Sequence, residues 1–175
     1  EDMLEHLGFD RSRFHLIDYL DACARYGVDE ITHVEEMKLQ EDFGPTVWLC
    51  NFPRKSDPYW NMRYECEGKL NAEHTIDNDP NTTARKIDVI IGGRESIGSA
   101  ERSCDPNLMR KMFYAVDSGH YAATLFEKFG QNRVEAELNK YLSLPFMPRC
   151  GMGIGIARLI MAMRENGLLP AMNST

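Results

Sequence analysis

Two strand-like runs meet at a pair of glycines, and that junction constrains the fold more than any other feature of the chain. "RKIDVIIGG" is rich in β-branched residues and ends at Gly92-Gly93; "RESIGSAER" follows at once with enough alternation to be its partner. A tight turn at two glycines folds the second run back on the first, so the spacing predicts a hairpin. "TVWLCNF" (Thr46 to Phe52), bounded by Pro45 and Pro53, reads as a buried strand, and "MRYECEGKL" as another. Elsewhere the periodicity turns helical. The spacing predicts a helix over Phe14–Tyr26, with Gly27 as its stop, and a second across "ITHVEEMKLQEDFG". Asp105-Pro106 opens a third, with Leu108, Met109, Met112, Phe113 and Val116 on one face. "HYAATLFEKFG" and "RVEAELNKYL" are further helical stretches, and the last runs from Ile156 to about Asn166, stopped by Gly167. Asn71 to Thr83 is polar and turn-rich and reads as a loop. The order lacks a regular βαβ alternation. The expected fold class is therefore α+β, a mostly antiparallel sheet flanked by helices.

Composition narrows the function classes. The chain has 175 residues, which suits one domain over 1–175 with a real core. Its formal net charge of −7 argues against a protein that grips nucleic acid mainly through phosphates. The five cysteines are odd in number, widely spaced and without a CxxC, so reduced thiols in a cytosolic protein are expected rather than a zinc knuckle or disulfide framework. No apolar run approaches the roughly 20 residues of a membrane span. The opening "EDMLEHLGFDRSRF" lacks a Met and is already helix-like, which suggests a piece of a longer parent.

Three constellations could carry chemistry. Asp88 and Glu95 lie seven residues apart on the two arms of the hairpin, where residues can face each other across the pair. Two converging carboxylates suit Mg²⁺, which favours such oxygens and keeps waters and phosphates; spacing alone favours two exposed edge-strand acids. Arg102 lies seven residues beyond Glu95, an offset that puts them on opposite faces of a regular strand unless "IGSA" forms a bulge. From there a guanidinium could clamp a substrate carboxylate, or be an ordinary surface arginine. The third is "CGMGIGIARLIMAM". Gly151, Gly153 and Gly155 match neither a Walker loop nor a dinucleotide fingerprint. They fit an extended strand with one bare face, on which a flat ring could lie, with Arg158 in the first turn of the next helix; the other reading is a glycine-rich turn packing a helix tightly. The histidines His33, His74 and His120 are scattered and suggest no ligand set.

"IDVIIGGRESIGSAER" followed by "GMGIGIARLIMAM" resembles the catalytic core of class II aminoacyl-tRNA synthetases, in the aspartate/asparagine/lysine subgroup and nearest the aspartyl type. "VWLCNFPRKSDPYWNMR" is similar to that family's strand and loop ending in a Pro-aromatic-aromatic-Met pattern. The resemblance spans about Phe14 to Ala162. It implies ATP and Mg²⁺ as cofactors, with Asp88 and Glu95 as metal ligands. It implies ATP contacts at Asp88, Glu95, Gly151, Gly153, Gly155 and Arg158, and catalytic roles for Glu95 and Arg158. Substrate contacts are implied at Arg102, which would read a side-chain carboxylate, and at Gly98 and Ser99. Met152 and Ala157 depart from the family's third motif. Nothing in the chain resembles the first two motifs or an anticodon-binding domain, so it looks like the C-terminal half of a core. The implied reaction is activation of aspartate or asparagine as an acyl-adenylate for transfer to tRNA, in a cytoplasmic homodimer paired through the other half. Two alternatives stand beside it: a tRNA-free asparagine synthetase using ammonia, and a non-catalytic paralogue.

Overall fold

The computed structural model describes residues 1–56, 59–65 and 82–170. The elements run α1 (Asp2–His6), β1 (Phe14–Asp18), α2 (Tyr19–Tyr26), α3 (His33–Phe43), β2 (Thr46–Pro53), β3 (Thr83–Ile91), β4 (Arg94–Arg102), α4 (Pro106–Ala115), α5 (His120–Phe129), α6 (Gln131–Leu142), β5 (Arg149–Ile154) and α7 (Ile156–Glu165). The strands form one mostly antiparallel sheet in the order β1-β2-β3-β4-β5. The expected α+β class holds.

The predicted helix over Phe14–Tyr26 is corrected. Its first five residues form β1, parallel to β2, with Phe14 opposite Thr46 and Asp18 opposite Cys50. The helix starts only at Tyr19, because the Asp18 carboxylate accepts the Leu20 N–H at 3.0 Å and caps it. Gly27 ends it in the left-handed conformation, as expected. Of the strand read in "MRYECEGKL", Met62 bridges Arg102 and Tyr64 bridges Ala84. Residues 66–70 of it, and the loop expected over 71–83 up to residue 81, lie outside the described residues, as does Cys66.

The chain divides into two compact units. The first comprises Glu1–Asn51, Ile87–Ser99 and Met152–Thr175. Its core gathers Leu4, Phe9, Val89, Ile91, Ile97 and Leu159, so the hairpin arms and α7 share one apolar centre. The second comprises Phe52–Lys86 and Ala100–Gly151. Its core joins Trp60, Tyr64, Ala84 and Ala100 to Met109 and Phe113 of α4 and Leu138 and Leu142 of α6. Trp60 meets Phe113 and Tyr141 edge-on at 5.5 and 5.6 Å, an aromatic geometry that fixes the segment carrying Asn61.

Candidate functional site

The hairpin delivers the acid pair. Gly92 and Gly93 both adopt left-handed φ, +63° and +68°, which a two-residue turn between twisted strands requires. Downstream, Ser96 and Ile97 are consecutive buried residues, and Ile97 joins Val89 and Ile91 in the core. Gly98 instead lies under the acids: a Cβ built there would sit 2.8 Å from Glu95 Oε1 and 3.3 Å from Asp88 Oδ1. Glu95 and Gly98 thus share a side despite an odd offset, so strict alternation is lost between Glu95 and Ile97. The break falls slightly earlier than the "IGSA" stretch. Asp88 is only 5% exposed, so it is not the surface acid that spacing left open. Ser99 donates its hydroxyl to the Ile87 carbonyl at 3.3 Å.

Arg158 stands beside this pair. The extended β5 leads into α7, and the Gly155 N–H donates to the Ser96 carbonyl at 2.8 Å, fixing the start of the helix against β4. Arg158, in the first turn of α7, donates through Nη1 to the Glu95 carbonyl oxygen at 2.7 Å. Glu95, Ser96, Gly98, Gly153, Gly155 and Arg158 line an open cleft of about 390 Å³. Around Gly153 a Cβ would meet nothing within 4 Å, so this part of the strand is a bare floor facing free space. Gly155 is in ordinary contact with Ser96 and Arg158, while Gly151 packs against Arg102 in the second unit. Met152 and Ile156 are exposed.

One participant was not legible from motif spacing. Glu36 of α3 accepts the Glu95 N–H through Oε2 at 3.2 Å, and His33 Nδ1 lies 3.9 Å from the same oxygen. Burial pushes the Glu36 carboxyl above the ordinary range; the Glu95 charge adds to this, while the Glu95 N–H, His33 and Arg158 oppose it. The only sequence signal was the Thr32–Glu35 capping pattern, which fixes where α3 begins and so puts Glu36 in its first turn.

The donor set fits a hard divalent cation. Among the described residues no group of three or more His, Cys, Asp or Glu could hold a metal ion alone. Asp88 and Glu95 supply two carboxylates over Gly98, which suits Mg²⁺ completed by waters and phosphates better than Zn²⁺ or Ca²⁺. Arg102 lies in the second unit, where its Nη1 donates to Asn61 Oδ1 at 3.0 Å.

A five-stranded mostly antiparallel sheet with helices, carrying a glycine-floored cleft and a hairpin acid pair, defines the α+β class. The profile of the family described as "tRNA synthetases class II (D, K and N)" matches residues 2–167, and the chain belongs to that family. Comparison with curated proteins gives no match. Solved structures with a similar fold include the aspartyl tRNA synthetase from Entamoeba histolytica, at 21% identity and a TM-score of 0.55, with 85% of this chain and 28% of that one covered. The asparaginyl-tRNA synthetase from Pyrococcus horikoshii complexed with asparaginyl-adenylate aligns at 20% identity and a TM-score of 0.59, covering 94% of this chain and 36% of that one. The asparaginyl-tRNA synthetase from Entamoeba histolytica gives 19% and 0.55, covering 93% and 35%. The chain thus spans about a third of the length of these proteins.

Proposed function

We propose that this chain is the ATP- and amino-acid-handling part of an aspartate-type synthetase core, which activates the amino acid as an acyl-adenylate. The observation that carries the reading is the convergence of Asp88 and Glu95 over Gly98, which with Glu95 and Arg158 lines the cleft. A volume of about 390 Å³ falls in the range of small-molecule sites. Asp88 and Glu95 would hold Mg²⁺; when bound it neutralises charge on the triphosphate oxygens. Gly153 offers bare backbone to the adenine face. Arg158 brings a guanidinium to the N-terminal turn of α7, where phosphate oxygens are favoured by both the cation and the unsatisfied helix N–H groups. Arg102 of the second unit reads the side-chain carboxylate of L-aspartate.

The chemistry is in-line substitution at phosphorus. The α-carboxylate oxygen of the amino acid attacks the α-phosphate, the bond to the bridging oxygen breaks, and pyrophosphate leaves with its electron pair. The chain supplies position and charge complementarity and moves no proton in this step. A tRNA terminal hydroxyl then accepts the aminoacyl group, and pairing with a second copy belongs to the same reading. ATP–pyrophosphate exchange dependent on L-aspartate tests it. Exchange should appear with the whole wild-type protein, since these residues alone are not expected to activate an amino acid, and vanish with Glu95→Gln in it, which should also lose Mg²⁺-dependent ATP binding. Unchanged ATP binding by that variant would sink the metal assignment. Asparagine formed from ammonia without tRNA would instead point to a tRNA-free asparagine synthetase, a reading that the net charge of −7 favours.

A further inference from the structure

Both backbone groups of Glu95 are held by side chains. β5 ends at Ile154, and the Gly155 N–H just beyond it donates to the Ser96 carbonyl. Glu95 lies one residue nearer the turn. Its N–H donates to Glu36 Oε2 at 3.2 Å, and its carbonyl accepts from Arg158 Nη1 at 2.7 Å. One partner comes from α3 and the other from α7, the two helices that also lean on the hairpin tip. A Cβ at Gly92 would lie 2.6 Å from Glu165 Oε2 and 3.6 Å from the Ala162 Cβ of α7. One at Gly93 would lie 2.9 Å from Gln40 Oε1 and 3.2 Å from the Met37 Cα of α3. The bond to the N–H fixes the peptide plane before Glu95, and the bond to the carbonyl fixes the plane after it. Those planes set φ and ψ, and with them the rotamers open to the side chain. Alternation breaks between Glu95 and Ile97, so the strand ladder alone does not fix how residue 95 is turned. The two helices supply what the ladder leaves out. They hold the Glu95 carboxylate on the side of Gly98, where it meets Asp88.

We infer that Glu36 is a positioning residue for the metal ligand Glu95: its carboxylate anchors the Glu95 peptide to α3 and so keeps the acid pair converged for a divalent cation. This rests on the metal assignment above. Arg158 lines the cleft and has phosphate oxygens to serve, whereas Glu36 does not line it. The bond from Glu36 is therefore the one that persists when a nucleotide draws on Arg158. What Glu36 contributes is an acceptor at the right reach, more than a negative charge.

Calorimetric titration of the whole protein with ATP, at Mg²⁺ concentrations from none to saturating, tests this. Two variants separate reach from charge. Glu36→Asp keeps the charge and draws the acceptor back by one methylene. It should raise the Mg²⁺ needed for half-maximal ATP binding roughly 10-fold or more, as losing the group that orients a metal ligand does. Glu36→Gln keeps the reach and removes the charge, and should stay much nearer wild type. Both should keep the Mg²⁺-free affinity for ATP, which also shows that they are folded; a merely structural role would lower that affinity in step. Should Glu36→Asp not fold, Glu36→Met, which has no acceptor, takes its place with the same expected shift. The inference is overturned if the shortened side chain leaves the Mg²⁺ requirement at its wild-type value, or if Glu36→Gln is impaired as much as Glu36→Asp. A fall in Mg²⁺-free affinity that matches the Mg²⁺-dependent loss overturns it too. Wild-type ATP binding that ignores Mg²⁺ overturns the metal assignment and the inference with it. Mg²⁺-dependent ATP binding without aspartate-dependent exchange sinks the synthetase reading alone, and the two variants still decide the role of Glu36.

Discussion

Glu36 carries a charge that folding disfavours. Its carboxyl is raised above the ordinary value of 4.5, first by burial and then by the Glu95 charge. A carboxyl whose folded pKa exceeds its unfolded one stabilises the fold while protonated, and that stability is lost as pH rises through the folded value. Glu36→Gln keeps an acceptor for the Glu95 N–H and removes the charge. The variant should therefore melt at a higher temperature than wild type near neutral pH, with the difference shrinking below pH 4.5. Melting curves across that range check it, and a lower melting temperature at neutral pH would show that the ionised group is net favourable. A partly buried carboxylate held against Glu95 adds negative potential there, which would strengthen the field on the proposed cation.

At the scale of the element, α3 shows the opposite sign. The Thr32 hydroxyl hydrogen-bonds the Glu35 carboxylate, which also accepts the Thr32 N–H at 3.1 Å, while the Val34 N–H donates to the Thr32 hydroxyl at 3.3 Å. The bonds from Thr32, its hydroxyl foremost and then its N–H, with Lys38, pull the Glu35 carboxyl down to about 2. A depressed carboxyl contributes stability above its unfolded value that disappears as pH falls towards the folded one. Thr32→Ala should cost about 1 kcal/mol at neutral pH, as loss of an N-cap does. In acid titration it should also flatten the stability loss between pH 4.5 and about 2.

The elements also show what the sequence could reveal. The hairpin was legible because Gly92-Gly93 and the strand runs are local, and so were α4, with Asp105 as its cap, and α7. The strand β1 was hidden: Phe14, Ile17 and Leu20 repeat at helical spacing, and only pairing with Thr46–Cys50, distant in the chain, makes an extended strand win. The site divides in the same way. Asp88, Glu95 and Arg158 could be picked out by motif and spacing. The bond from the Glu95 N–H to Glu36 spans 59 residues and that from Arg102 to Asn61 spans 41, distances over which no pattern in the chain fixes a partner.

At the scale of the whole molecule, the first unit draws on three separated stretches of chain and the second on two. Joining distant segments requires closing long loops, which is slow, whereas two strands linked by two glycines meet within a local event. Asp88 and Glu95 therefore become neighbours as soon as the hairpin exists, before the remaining stretches of the first unit arrive. Their mutual repulsion then opposes an early step of folding, and a counter-ion that bridges them relieves it in the transition state rather than only in the finished protein. Stopped-flow refolding should accelerate with millimolar magnesium while the unfolding rate changes little, and in Asp88→Asn that acceleration should be absent. The turn that builds the acid pair would thus make ion availability a determinant of how fast the chain reaches its native state.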